Sequence, residues 1–229
     1  MHNSSTDRPK LRCIDKKLRL YLIANLWRLI PGYLLLKGTD KKLRELLMDE
    51  IWHWRRCLQF SESVGTFDAF SYIILSQKQY RNLLVARLRN NRRLIRSVLV
   101  SILFRPMQSM QICCPDIGPR LYLQHGIATI ISAQHIGSDC WINQQVTVGY
   151  SFDQKPPTIG NGVRITAGAK VVGDIKIGDN AIIGANAVVV KDVPENWIVG
   201  GVPAKQIGVN ETHRLFPAEN GTGTISPEP

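Results

Sequence analysis

Apolar residues recur every six positions in the second half of the chain. A period of six does not fit a helix, because a turn of 3.6 residues would spread these side chains around the cylinder. Short strands joined by tight turns point them all inward, and a fixed short repeat is typical of a solenoid. The pattern therefore predicts a β-solenoid built around Ile136, Ile142 and Val148 and, after an interruption, Ile159, Ile165, Val171, Ile177, Ile183 and Val189.

The first half follows a helical pattern instead. Between residues 11 and 104, apolar side chains fall at helical spacing, for example Leu43, Leu47, Ile51 and Trp54. We expect Pro31-Gly32 to break the first helix, residues 61–66 to form a connector, and Arg105-Pro106 to end the helical region.

The most apolar stretch runs from Leu18 to Leu36, but it contains charged residues together with proline and glycine. It is therefore a poor membrane span. An amphipathic helix on a lipid surface is one interpretation, and burial against neighbouring helices is the favoured one.

These patterns predict a chain of α+β class with three parts. A basic α-helical domain is expected over residues 1–106, a β-solenoid over 107–207, and a disordered, Gly- and Pro-punctuated tail over 208–229. With 229 residues the chain is long enough to bury a sizeable core.

The two halves of the chain differ in net charge. Residues 1–110 carry 21 Lys and Arg against 8 Asp and Glu, whereas residues 111–229 carry 8 against 10. A basic half suits nucleic acid, a membrane surface or an acidic partner. Zinc-finger spacing and aromatic RNA-binding boxes are absent from the sequence, which argues against a nucleic-acid partner.

The five cysteines are odd in number and form no CxxC pair. A disulfide framework is therefore not expected, and the pattern favours a reducing, cytoplasmic compartment. The sequence shows no cluster of metal ligands, and we predict no metal.

Residues 151–158 interrupt the six-residue repeat by about five residues. Such insertions become surface loops that often carry function.

Four motifs make the second half resemble the hexapeptide-repeat acyltransferases, and within them the serine acetyltransferase branch. They are Ile-Gly-Pro-Arg-Leu-Tyr-Leu-Gln-His-Gly at 117–126, Ile-Asn-Gln-Gln-Val-Thr-Val-Gly at 142–149, Ile-Thr-Ala-Gly-Ala-Lys at 165–170 and Gly-Val-Pro-Ala-Lys at 201–205. The resemblance covers residues 107–207. It implies a left-handed parallel β-helix of triangular section, a homotrimer or dimer of trimers, and acetyl-CoA in the groove between neighbouring prisms.

The resemblance also implies a catalytic base. Acyl transfer to a hydroxyl needs a group that takes the hydroxyl proton, and imidazole titrates near neutrality. His125 matches the catalytic histidine of the family. The family's orienting acid would fall near Gln111, and the nearest acid, Asp116, belongs to the next turn. We therefore expect a backbone carbonyl or Gln111 to hold His125.

The acceptor residues depart from the serine enzymes. Gln124 stands where those enzymes commonly have Asp, and Lys155-Pro156 stands where they have Arg-His. Lys155 can still meet a carboxylate, as a point charge. The candidate acceptor-binding residues are Gln124, Gln144, Gln145, Tyr150 and Lys155.

For the acetyl donor, turns of Ala and Gly expose backbone along which a pantetheine arm can lie. The candidate acetyl-CoA contacts are Gly149, Ala167, Gly168 and Ala185, with Lys170, Lys191 and Lys205 for the phosphates.

The sequence thus predicts an acetyl-CoA-dependent O-acetyltransferase in which the acceptor hydroxyl attacks the thioester directly, with L-serine as the first acceptor to test. The alternative acceptor is a sugar hydroxyl in a polysaccharide or natural product. A non-catalytic assembly solenoid is less favoured, and so is an enzyme tethered to a membrane by residues 18–36.

Overall fold

A computed structural model describes residues 16–61, 63–152 and 155–211. The chain divides into two compact units, Met1–Gln108 and Ser109–Pro229. The expected boundary at residue 106 lies two residues before this division. Most of the expected disordered tail, residues 212–229, lies outside the described residues.

The described part of the first unit is helical. Amphipathic stripes at helical spacing bury Leu29, Leu47, Ile51, Trp54 and Tyr80 in its core. Asp40 caps one helix, where its carboxylate accepts a hydrogen bond from the Leu43 backbone N–H. The helices are α1 (Lys16–Ala24), α2 (Leu26–Lys37), α3 (Lys41–Cys57), α4 (Thr66–Ser76), α5 (Lys78–Asn90) and α6 (Leu94–Leu103).

The connector before α4 and the end of the helical region are confirmed, but the break at Pro31-Gly32 is wrong. Pro31 lies inside α2, and the chain turns instead at Asn25 between α1 and α2. Gly32 has a packing role, since a Cβ there would overlap the Phe104 ring. Burial of Leu29 and Leu36 on either side stabilises the helix through the proline.

Part of the basic excess is used inside this unit. The Arg81 guanidinium donates to the carbonyls of Ile74, Leu75 and Arg105. Arg87 pairs with the fully buried Glu50. These cations therefore satisfy buried acceptors and are not available to an external partner.

In the second unit the chain winds through parallel strands into a triangular solenoid of about five coils. Up to β13 every third strand joins the same sheet, whereas β14 pairs with β12 and β15 with β14. The strands form three sheets in the orders β1-β4-β7-β10-β13, β2-β5-β8-β11 and β3-β6-β9-β12-β14-β15. The strands are β1 (Met110–Ile112), β2 (Asp116–Ile117), β3 (Tyr122–Leu123), β4 (Thr129–Ile131), β5 (His135–Ile136), β6 (Trp141–Ile142), β7 (Thr147–Gly149), β8 (Thr158–Ile159), β9 (Arg164–Ile165), β10 (Lys170–Val172), β11 (Lys176–Ile177), β12 (Ile182–Ile183), β13 (Val188–Val189), β14 (Trp197–Gly200) and β15 (Lys205–Val209).

The six-residue pattern is confirmed as the core of this solenoid. The repeat residues from Ile136 to Val189 are all buried, with at most 2% of their surface exposed. In each strand the neighbours of the repeat residue point outward, as the alternation of a strand requires. Each coil therefore buries its apolar residues only against the coils above and below it.

One of the three edges of the prism is structural. We call it the glycine edge; it comprises residues 118–121, 137–140, 160–163, 178–181 and 194–196. A Cβ on Gly118 or Gly137 would overlap the backbone of the next coil, so only glycine permits this spacing. Arg120 and Asp139 form an ion pair across two coils here, with Nε 2.6 Å from Oδ1.

The last strand ends the solenoid differently. β15 pairs with β14 in antiparallel register, with Trp197 opposite Val209. The ordered fold thus extends two residues past the expected end at residue 207. Asn210 is buried, and its side chain donates to the Asn180 carbonyl. Among the described residues, none of the helices is both long and apolar enough to cross a bilayer.

Candidate active site

His125 lies on the turn between β3 and β4, at a second edge of the prism. This turn contains residues 124–128, one more than the corresponding turns 143–146, 166–169 and 184–187. His125, Gly126 and Ala128 all have positive φ, at 66°, 68° and 52°. Single positive φ values also occur in the regular turns of this edge, at Gln145 and Asn186, so the extra residue and the three positive φ values distinguish this turn. The imidazole is exposed at the irregular turn of an otherwise regular solenoid.

The four turns stack on one another along this second edge, which we call the histidine edge. Backbone hydrogen bonds join them in sequence: Gln145 N to Ile127 O at 2.8 Å, Gly168 N to Gln144 O at 3.1 Å, and Asn186 N to Ala167 O at 2.9 Å. The solenoid therefore brings His125, the Gln144-Gln145 pair, Ala167-Gly168 and Ala185 to one line, although 60 positions separate the first from the last. Candidate acceptor and donor residues share this edge.

The donor half of the histidine edge presents small side chains. Gly168 has a φ of 75°, and a Cβ there would overlap the side-chain oxygen of Asn186. Ala185 on the next coil is exposed. The Lys170 ammonium is engaged with the backbone, donating to the carbonyls of Gln145 at 2.9 Å and Gly168 at 2.7 Å. Lys170 thus stabilises the turns as they stand.

The glutamines of the histidine edge present neutral amides. The Gln124 oxygen accepts a hydrogen bond from the Trp141 indole at 3.1 Å, which fixes this side chain beside His125. The Gln144 Oε1 is buried and has no hydrogen-bond partner within the described residues. A buried acceptor without a donor is costly unless a ligand or water supplies one. Gln145 is exposed, at a φ of 59°.

The expected orienting contact to His125 is not present among the residues that the structure describes. Over residues 16–61, 63–152 and 155–211, no side chain or carbonyl hydrogen-bonds its imidazole. Gln111, the expected candidate, is an exposed residue of β1.

Asp116 instead pairs with a different histidine. Its Oδ2 lies 2.7 Å from Nδ1 of His135, directly across the sheet between β2 and β5. This pair was not predicted from the sequence. A signal was present in the spacing, since Ile117 and Ile136 are 19 residues apart, one more than three hexapeptides.

The third edge carries the insertion, and we call it the loop edge. Residues 150–157 form its longest turn, compared with three residues in 113–115, 132–134 and 173–175. Gly149 ends β7 beside it, and Tyr150 and Phe152 are exposed. The Lys155 Nζ lies 3.3 Å from Oδ2 of Asp174 on the next coil.

Within one chain, the candidate residues therefore divide between two edges. The histidine edge carries Gln124, His125, Gln144, Gln145, Ala167, Gly168 and Ala185, while the loop edge carries Tyr150, Lys155 and Lys191 next to Gly149. Lys205 is the first residue of β15. The segment before it, residues 201–204, forms backbone hydrogen bonds with Val188 at the far end of the histidine edge.

The buried thiols are unsuited to nucleophilic chemistry. Burial raises the pKa of Cys140 to about 12, and it also raises the pKa of Cys57. The thiolate form is therefore scarce at neutral pH. The described cysteines are free thiols, and the described residues contain no cluster of three potential metal ligands.

Comparison with known proteins agrees with this architecture. The family profile "Bacterial transferase hexapeptide (six repeats)" matches residues 156–191. A serine acetyltransferase of Mycobacterium tuberculosis is 44% identical over 99 residues, which cover 42% of this chain and 43% of that protein. One from Staphylococcus epidermidis is 35% identical over 150 residues, which cover 60% of this chain and 70% of that protein. The chain thus spans less than half the length of the first relative.

Solved structures extend the similarity to the fold. A serine acetyltransferase of Neisseria gonorrhoeae superposes with a TM-score of 0.60 at 26% identity, covering 79% of this chain and 70% of that one. A serine acetyltransferase in complex with CoA superposes with a TM-score of 0.54 at 25% identity, covering 77% and 83%. These matches confirm the predicted fold class, a helical N-terminal region followed by a left-handed β-helix.

The identity to the Staphylococcus protein extends over more than two thirds of that protein's length. The hexapeptide profile matches within the same solenoid. The chain belongs to the serine O-acetyltransferase-like family of hexapeptide-repeat acyltransferases.

Proposed function

We propose that the protein is an acetyl-CoA-dependent O-acetyltransferase that acts on L-serine. The observation that carries the proposal is the stack of turns at the histidine edge. It places an exposed imidazole on the same line as open Ala and Gly turns. The relatives are named serine acetyltransferases, and one of the similar structures holds CoA, which supports both the acceptor and the donor.

In the proposed reaction, His125 takes the proton from the acceptor hydroxyl as its oxygen attacks the thioester carbonyl. A C–O bond forms, the C–S bond breaks, and the CoA thiolate leaves with the proton returned by the imidazolium. The products are the O-acetyl ester and free CoA. No acyl-enzyme is required, because the acceptor hydroxyl attacks the thioester carbonyl directly.

The donor is proposed to lie along the histidine edge beyond His125. Ala167, Gly168 and Ala185 leave room for a pantetheine arm, and Gly149 borders the face between the two edges. The exposed Lys191 and Lys205 are proposed to meet the CoA phosphates. Lys170 is assigned an indirect role, because its ammonium already binds two carbonyls.

We further propose a homotrimer. Within one chain the acceptor candidates divide between the histidine edge and the loop edge, so a single prism does not bring Lys155 to His125. Packing prisms side by side sets the loop edge of one against the histidine edge of the next, which completes the site. Whether two trimers associate is left open, and a cytoplasmic location stays a prediction.

This assembly is expected to show in solution. Light scattering on the full chain should give the mass of three copies or a multiple of three. When Lys155→Ala subunits are mixed with His125→Ala subunits, one of the two mixed interfaces in each mixed trimer pairs an intact Lys155 with an intact His125, so part of the activity should return to the KM for serine of the parent. A fully active monomer would contradict the shared site.

A neutral acceptor such as a sugar is a second candidate. A free amino acid is zwitterionic and needs a cation and an anion near the reacting hydroxyl. Next to His125 the chain places the neutral amides of Gln124 and Gln144, and the Lys155 ammonium is paired with Asp174. Amides and exposed aromatic rings such as Tyr150 suit a sugar, which offers hydroxyls and an apolar face.

Two substitutions separate the acceptors. If serine is the substrate, Lys155→Ala should raise its KM about fivefold, since a lost exposed charge contact costs about 1 kcal/mol. If a sugar is the substrate, Lys155→Ala should have little effect and Tyr150→Ala should raise KM through lost stacking. A thiol-release assay with acetyl-CoA, run on serine, other hydroxy amino acids and sugars, measures both.

Lys176→Ala provides the matched control, because Lys176 is an exposed lysine of β11 outside both edges. Its KM values should equal those of the parent. Serine turnover that is indifferent to Lys155 would contradict the carboxylate role of that residue. Absence of CoA release with every acceptor would contradict the enzymatic proposal and favour a non-catalytic solenoid.

A further inference from the structure

Gln124, the residue before the proposed base, has its carboxamide held in one orientation. The Nε1 of the Trp141 indole lies 3.1 Å from the Gln124 Oε1. An indole N–H only donates hydrogen bonds, so the atom that faces Trp141 is the amide oxygen and not the amide nitrogen. The Gln124 Nε2 makes no hydrogen bond within the part of the chain that the structure describes. Gln124 therefore offers amide N–H donors to a ligand beside His125.

The indole that holds Gln124 is itself fixed by packing. Trp141 and Tyr122 are Cα partners on the outer face of β6 and β3, and their rings meet in a T-shaped contact with centroids 4.7 Å apart. This edge-to-face arrangement is one that aromatic pairs prefer, and it limits rotation of the indole. A flip of the Gln124 amide would set two donors against each other, so the observed orientation is the stable one.

The charge on the same outer face is positive. Arg164 of β9 is the Cα partner of Trp141, and Ile182 of β12 continues the row. The Arg164 guanidinium is half-buried, and this burial lowers its pKa. Among the described residues, no side chain or carbonyl pairs with this guanidinium. The row next to Gln124 thus presents N–H donors and a cation, both of which favour an oxygen anion.

We propose that Gln124 and Trp141 make the site specific for small hydroxy acids, which are recognised by their carboxylate and not by an ammonium group. This inference rests on the proposed acetyl transfer and names the class of acceptor for it, with L-serine as one member. The Gln124 N–H donors bind a carboxylate oxygen while His125 takes the proton of the acceptor hydroxyl. Trp141 does not touch the acceptor, and is a positioning residue that acts through Gln124.

An ammonium group would fit this position poorly. It carries only donors, so it would face the N–H donors of Gln124, and Arg164 would add a like charge on the same face. A carboxylate carries only acceptors and satisfies the amide nitrogen that Trp141 leaves without a partner. An acceptor without the ammonium should therefore remain a substrate, whereas an acceptor without the carboxylate should be a poor one.

Three acceptors that differ by one group test this specificity in the parent protein. L-Serine has both groups, 3-hydroxypropanoate lacks the ammonium, and ethanolamine lacks the carboxylate. In the thiol-release assay we expect kcat/KM for 3-hydroxypropanoate to lie within about tenfold of the value for serine. The value for ethanolamine should be lower than that for serine by roughly ten- to a hundredfold, the usual loss of a hydrogen bond to a charged group.

Gln124→Glu reverses the polarity of this contact at almost constant shape. One carboxylate oxygen can still accept from the Trp141 indole, while the other replaces the amide nitrogen. The variant should lower kcat/KM for 3-hydroxypropanoate by roughly ten- to a hundredfold and raise it for ethanolamine, so that the preference inverts. Gln206→Glu is the matched control, because Gln206 is an exposed residue of β15 in the last coil. It should keep the acceptor preference of the parent.

Trp141→Phe tests the positioning role. It removes the indole N–H and keeps an aromatic ring against Tyr122. Because the released Gln124 amide can rotate, KM for serine and for 3-hydroxypropanoate should rise roughly two- to tenfold with little change in kcat, and KM for ethanolamine should stay the same. In a Gln124→Ala background the same substitution should have no further effect on KM. Trp197→Phe on β14 is the control for loss of an indole elsewhere on this sheet.

The outcomes distinguish this inference from the proposed function. Ethanolamine turned over better than 3-hydroxypropanoate by the parent would overturn the inference and leave the acetyl transfer standing. A Trp141→Phe effect that is equal for all three acceptors, or that adds to the effect of Gln124→Ala, would overturn the positioning role. If none of the three acceptors releases CoA, the inference and the proposed serine acceptor are both wrong.

Discussion

Replacing His125 with alanine is expected to lower turnover by roughly 10²–10⁴-fold, the usual loss when a positioned general base is removed. Acetyl-CoA binding should stay close to that of the parent, because the proposed donor contacts lie on the later coils of the histidine edge. Alanine already occupies position 128 of this turn at a positive φ of 52°, so the substitution is compatible with the local backbone. The thiol-release assay gives turnover, and equilibrium dialysis gives the affinity for CoA.

His135→Ala is the matched control. This substitution also removes an imidazole from the solenoid. The His135 ring, however, is hydrogen-bonded to Asp116 on the outer face of a different sheet. Its turnover should be close to that of the parent. Because His125 is exposed, added imidazole is also expected to restore part of the activity of His125→Ala. A His125→Ala enzyme that keeps most of the parent rate would remove this residue from the mechanism.

The second large effect concerns the stability of the helical unit. Arg87→Met leaves the carboxylate of Glu50 fully buried without its cation, which is expected to lower the free energy of unfolding by about 3–5 kcal/mol. Methionine keeps most of the buried volume, so the loss reports the charge. Denaturant titration of the full chain, followed by circular dichroism of the helices, measures it.

The loss should depend on pH. Burial already raises the pKa of Glu50 above its ordinary value, while the Arg87 guanidinium opposes the rise. Without Arg87 the folded-state pKa rises further, so the folded protein binds more protons than the unfolded chain above the unfolded pKa of about 4.3. The free energy of unfolding of Arg87→Met should therefore fall as the pH increases from roughly 5 to 8.

Two further variants test this explanation. Glu50→Leu with Arg87→Met should recover most of the stability, because two apolar side chains replace a desolvated ion pair. Arg93→Met breaks the exposed pair with Asp40 and should cost less than about 1 kcal/mol. A pH-independent loss in Arg87→Met, or a double variant no better than the single one, would contradict the account.

The pairing of Asp116 with His135 is a feature of the solenoid that could not be predicted from the sequence. The repeat correctly predicts that the residues around Ile117 and Ile136 stack on each other. A regular coil of three hexapeptides would set Gln134 beside Asp116, but the extra residue in the His125 turn shifts the register by one and brings His135 there instead. Which side chains meet across a sheet thus depends on irregular turns, and these have no clear sequence code.

The helical unit shows a similar limit at Pro31. The local rule predicts a break there, yet the buried side of α2 continues through the proline and the chain turns at Asn25. Propensity is a local preference of a few kcal/mol, and the burial of several leucines outweighs it.

By itself the sequence determined the solenoid, the helical half, the candidate base and the difference in net charge between the two halves. Each of these can be recognised along the chain from a repeat period, a short motif or a count of charged residues. The tertiary structure decided the rest. It set His125 in line with Ala167 and Ala185, separated Lys155 from them on another edge, and left apolar side chains of α2 and α6 exposed within one chain. Those outcomes depend on how coils stack and on which helical side finds a partner. Both are properties of contacts between distant residues, which no local pattern specifies.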